Sequence, residues 1–67
     1  MLKSEDEVRK TLEELRRRLR IGESAVLEVS EDVLEFTVDE AVRQRLSVVD
    51  AREEDYRVIV VIERRHS

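Results

Sequence analysis

No cysteine occurs anywhere in the 67 residues, which excludes both disulfide staples and a cysteine nucleophile. The one histidine, His66, stands near the end of the chain without neighbouring ligand residues, which argues against a structural zinc site. Only Phe36 and Tyr56 are aromatic, too few to build a platform on which bases stack. A single glycine leaves no phosphate-cradling loop, and no metal-ligand spacing is present, so no cofactor is expected and enzymatic activity is not. There is no long apolar run and no signal-peptide pattern, which points to a soluble, cytoplasmic chain without membrane contact. A chain this short buries only about 60% of the surface its unfolded form exposes. Its core rarely supplies more than about 3–5 kcal/mol. With disulfides excluded and a metal disfavoured, a subunit interface is the remaining source of added stability.

What the chain has in abundance is charge. Charged residues make up 45% of it, a density that suits the ion-pair networks of a thermostable protein or the surface of a designed one. The net charge of −4 disfavours polyanion binding as a main task. The basic stretch LRRRLRIGE, from Leu15 to Glu23, runs against that balance. On a helix, Glu13 meets Arg17 and Glu14 meets Arg18 at a spacing of four with the acid first, the favourable order. Glu5–Arg9 and Asp6–Lys10 repeat it. That leaves Arg16 and Arg20, near Arg9 along one edge and at the helix C-terminus, where the dipole favours cations. The run therefore reads as a solvated, ion-paired face, and weak nucleic-acid binding through those three arginines is the subordinate reading.

Val8, Leu12, Leu15 and Leu19 recur at helical spacing, predicting a helix over residues 4–20. Ser4 with Glu7 makes a capping box at its start, and Gly22 offers a left-handed stop at its end. From Ser24 the period changes to two. A turn at Glu31 and Asp32 would pair Val29 with Leu34, Leu27 with Phe36 and Ala25 with Val38, giving a hairpin with one apolar face. A helix capped at Asp32 and running to Leu46 is the rival, but Val33, Phe36, Thr37 and Val38 favour strand. Thr37, with Glu40 three residues on, then caps a shorter helix through Val38, Ala41, Val42 and Leu46. A short strand over residues 48–52, an acidic turn and a long strand over residues 56–65 complete the chain. The expected fold is a single α+β domain in αββαββ order: a two-layer sandwich with two helices on one face of a four-stranded, largely antiparallel sheet.

The segment YRVIVVIER is apolar on both sides at its centre. Tyr56, Val58, Val60 and Ile62 project one way, Ile59 and Val61 the other. Two helices of this length cover only one side of such a sheet. Val26, Val33, Ile59 and Val61 are therefore expected to form a patch on the open side. A symmetric homodimer would bring Ile59 and Val61 towards their counterparts with Val26 and Val33 at the margin, and another protein partner would use the same surface. Glu28 and Glu35 fall opposite one another in the expected hairpin, but as exposed carboxylates without a cleft they suggest local repulsion rather than acid–base catalysis. The acidic turn from Glu53 to Asp55 lacks the spaced oxygens and central glycine of a calcium loop.

The order of RRLRIGE, LEVSED, a helix and a terminal YRVIVVIER strand resembles the small TusA-like (SirA-like) sulfur-carrier family, over about Val8 to Arg65. The resemblance implies that family's fold and favours helix for Val33 to Leu46. The family's activity depends on a Cys-Pro motif at the end of a first strand before the long helix. Here neither residue type occurs and no such strand is read, so no position takes the sulfur-carrying role and the persulfide chemistry would be lost. Two capping boxes, clean patterning and dense ion pairing are also what a designed or idealised scaffold shows, although its turns would normally be written Asn-Gly or Asp-Gly. The function expected from the residues is that of a non-catalytic interaction or self-association module.

Overall fold

The structure, a computed structural model, describes residues 1–65, so His66 lies outside it. The first helix, α1, spans Glu5–Arg18. Its start is the capping box expected: the Ser4 hydroxyl oxygen accepts from the Glu7 N–H at 3.1 Å, and the Glu7 carboxylate accepts from the Ser4 N–H at 3.1 Å. Glu5, Asp6 and Glu7 in the first turn and Arg16, Arg17 and Arg18 in the last oppose the helix dipole at both ends. Val8 and Leu12 are fully buried, and Leu15 packs against the same core. The helix stops at Leu19, which is already extended at φ −75° and ψ 137°. Gly22, at φ +93°, sits beyond that point in the turn into the sheet. No atom lies within 4 Å of where its Cβ would be, so the demand for glycine there is purely conformational.

Among the described residues three strands follow, not four. They are β1 (Ser24–Ser30), β2 (Ser47–Glu54) and β3 (Arg57–Glu63), antiparallel in the order β1-β3-β2, with the last strand in the centre. Between β1 and β2 the chain makes a short 3-10 turn, Glu31–Val33, and a second helix, α2, over Leu34–Arg43. The αββαββ expectation is thus corrected to α, β, 3-10 turn, α, β, β, because residues 33–38 are helical. The buried residues Val33, Thr37, Glu40 and Ala41 fall at helical spacing on one face. Thr37 does not cap a helix. Its hydroxyl donates to the Val33 carbonyl at 2.7 Å, which satisfies it inside the core. Glu40, 5% exposed, accepts from the Gln44 side-chain amide at 3.0 Å. The expected hairpin does not form, and Ala25, Leu27 and Val29 pair instead with Ile62, Val60 and Val58 of β3.

The core lies between the helices and one face of this sheet. Leu27, Val29, Val58, Val60 and Ile62 meet Val8, Leu12, Val33, Ala41 and Leu46 there. Val33 therefore belongs to the core and not to the open side. The β2–β3 turn falls at Asp55 and Tyr56, with Asp55 at φ 54°. A left-handed residue at that place suits a tight hairpin, and aspartate tolerates it better than most residues. Ahead of α1, where no strand was expected, Leu2 makes a parallel bridge to Val29. Its N–H donates to the Glu28 carbonyl at 2.8 Å, and its carbonyl accepts from the Ser30 N–H at 2.9 Å, which covers part of the β1 edge. Among the described residues no helix is long and apolar enough to cross a membrane.

Candidate interaction surface

Residues directly opposite one another on antiparallel strands share a face, so the register gives the open side as a grid. Reading β1, β3, β2 across, its rows are Ser24–Glu63–Ser47, Val26–Val61–Asp50, Glu28–Ile59–Arg52 and Ser30–Arg57–Glu54. Val26 is 65% exposed, and Ile59 and Val61 are half-buried among their neighbours. Three of the four residues expected on the patch thus come together, and Val33 is the exception. A bulge in β2 between Val48 and Asp50 inserts Val49 and keeps Asp50 and Arg52 in step with β3. Arg57 ties the lower rows together: its guanidinium lies 2.9 Å from the Glu28 carboxylate and 3.6 Å from that of Glu54.

The expected pairing of Glu28 with Glu35 is absent, because Glu28 is on the open sheet face and Glu35 is on α2. Of the three arginines expected along one edge, Arg9 and Arg16 share a face of α1 and Arg20 does not continue it. Arg9 pairs with Asp6 at 2.6 Å rather than with Glu5, and its guanidinium lies 5.8 Å from the centre of the Phe36 ring. Arg16 remains on α1, but Arg20 lies past the helix end, where its backbone N–H donates to the Glu23 carboxylate at 2.7 Å. The Glu14–Arg18 pair forms as its spacing implies, at 3.0 Å. A hollow of about 600 Å³ opens between the end of α1 and the start of β1, beside Leu15, Arg18, Leu19 and Glu23.

A like-charge pair invisible in the sequence does occur, between Glu31 after β1 and Glu53 in β2. A hydrogen bond between the two carboxyl groups, and then the Glu53 charge, hold the Glu31 carboxyl above the ordinary glutamate range. A raised pKa in the folded state stabilises the fold below the unfolded value and loses that contribution as pH rises through the folded one. Glu7 shifts the other way, because the Lys3 and Ser4 backbone N–H groups donate to its carboxylate; its contribution is lost on acidification. Glu53→Gln is therefore expected to stabilise the chain more at about pH 7 than at about pH 4, relative to the parent, in urea titrations. A difference that does not change with pH would show that the two carboxyl groups are not linked.

No protein-family model, curated protein or solved structure matches the chain.

Proposed function

We propose that this chain is a non-catalytic self-association module whose contact surface is the open face of its sheet. The observation that supports this most directly is contiguity: Val26 and Val61 are partners across β1 and β3, Ile59 is next along β3, and the helices pack on the opposite face. The surrounding charges favour a contact surface over a reactive one. Arg57 is engaged by Glu28 and Glu54, which frames the apolar step with polar groups already bonded to one another. A domain of this length also has much to gain from covering such a face.

Light scattering across about a hundredfold range of concentration tests the proposal, because mass action makes a dimer grow with concentration. The apparent mass is expected to rise towards that of two chains, and Ile59→Lys to remain a single chain while keeping the parent's circular dichroism. A parent of single-chain mass at every concentration would overturn the proposal.

A further inference from the structure

Resting on that reading, we infer that the open face is covered by a second copy of the chain, related by a two-fold axis running across the strands between the Val26–Val61–Asp50 and Glu28–Ile59–Arg52 rows. The reason is the charge order on the face. Along the central strand β3 the open-face residues read Glu63, Val61, Ile59 and Arg57: acid, apolar, apolar, base. Beside the middle two, β2 supplies Asp50 and then Arg52. Both strands reverse the sign of charge about the same line.

An isologous contact between two sheet faces has two simple choices of axis. With the axis along β3, each row meets its own reverse. Glu28 then lies over Arg52, but Val26 lies over Asp50, Glu63 over Glu63 and Arg57 over Arg57. Two like-charge contacts on the axis oppose that arrangement, weakened by the pairing of Glu63 with Arg65 at 3.0 Å and of Arg57 with Glu28 and Glu54 within each chain. With the axis across the strands, each strand lies over its own copy. Val61 then meets Ile59, Asp50 meets Arg52 and Glu63 meets Arg57, each twice. Only Val26 meets an unlike residue, Glu28, and that carboxylate is drawn to Arg57 at 2.9 Å. Sheets packed face to face rotate by about 30°, which moves outer positions more than inner ones. Asp50 and Arg52 flank the axis in the two inner rows, so their pairing tolerates that rotation better than Glu63 with Arg57.

The face is small. Three strands about 4.8 Å apart and seven residues at about 3.4 Å each give a footprint of roughly 340 Å². A stable complex buries about 800 Å² per partner, so the association is weak and reversible, and the charge pairs set its orientation more than its strength.

The experiment is a charge exchange at two exposed positions of β2, with sedimentation velocity as the readout and circular dichroism as the check on folding. Asp50→Arg alone places arginine against arginine across the axis, and Arg52→Asp alone places aspartate against aspartate. Each variant is expected to self-associate at least about tenfold more weakly than the parent, and an equimolar mixture to recover the parent's association. Asp50→Lys with Arg52→Glu repeats the test if either first variant misfolds. A mixture no tighter than its components, with the parent dimeric and Ile59→Lys not, would overturn this arrangement and leave self-association through the open face standing. A dimeric Ile59→Lys would overturn both proposals. A monomeric parent would do the same.

Discussion

Leu12→Ala is expected to abolish the cooperative unfolding transition, leaving the chain largely unfolded at room temperature. Leu12 is fully buried at the centre of the α1 stripe, above the sheet residues that form the other wall of the core. Truncating a buried leucine costs about 2–5 kcal/mol, part lost transfer energy and part cavity. A core of this size supplies only about 3–5 kcal/mol in total, so the deficit removes most or all of the margin. The matched control is Val26→Ala on the open face, 65% exposed, where a change within about 0.5 kcal/mol is expected at concentrations too low for association. Urea titration followed by circular dichroism checks both. A Leu12→Ala midpoint close to the parent's would mean that α1 is not a main wall of the core.

Arg64→Met is expected to have the second largest effect, although Arg64 lies outside every strand and helix. Its guanidinium donates to the Leu19 carbonyl at 2.6 Å and to the Arg16 carbonyl at 3.2 Å, two acceptors at the end of α1. Its backbone also exchanges bonds with the turn: the Gly22 N–H donates to the Arg64 carbonyl at 2.7 Å, and the Arg64 N–H donates to the Glu23 carbonyl at 3.0 Å. Methionine keeps a comparable stem and leaves that backbone pair intact, so only the charged donors are removed. Hydrogen bonds from a charged group contribute about 1.5–3 kcal/mol. In a domain of this length that lowers the melting temperature by about 10 °C or more. Arg64→Lys should fall between, because a point charge replaces a planar donor that reaches two carbonyls. A melting temperature unchanged in Arg64→Met would show that water replaces the side chain at no cost.

How far the sequence was legible differs sharply between the two helices. At α1 the signals agree: Ser4 and Glu7 write its start, and Val8 and Leu12 lie fully buried on the predicted stripe. Its end was misplaced because Gly22 is so strong a stop signal, whereas the chain leaves the helix at Leu19 and reserves the glycine for the following turn. At α2 the buried stripe contains Thr37 and Glu40. Polar residues there break the helical period of apolar residues, while Val33, Phe36 and Val38 happen to favour extended backbone. The bonds that make burial tolerable, from Thr37 to Val33 and from Gln44 to Glu40, are properties of the folded helix and leave no pattern in hydrophobicity. The open face was legible for the opposite reason. Alternation in β3 is uninterrupted, so Ile59 and Val61 could be assigned to one side without knowing the strand order. Its charge pattern required the register with β2, including the extra residue at Val49, and no local rule supplies that.

The central position of β3 also dictates an order of events during synthesis. β1 is made early, yet among the described residues its strand-length neighbour in the sheet is β3, and β2 likewise pairs with β3. Until residues 57–63 have left the ribosome, neither of the earlier strands has a ladder to join, and α1 lacks the sheet face that buries Leu12. Helical segments such as α1 form locally and quickly, but the contacts that hold them are distant in sequence and must wait for loop closure. A nascent chain ending before β3 thus exposes two unpaired strands at once, the condition under which edge-to-edge aggregation competes with folding. The abundant charge along β2, at Asp50, Arg52, Glu53 and Glu54, then serves the unfinished chain as well as the folded one, by keeping its waiting edge in water.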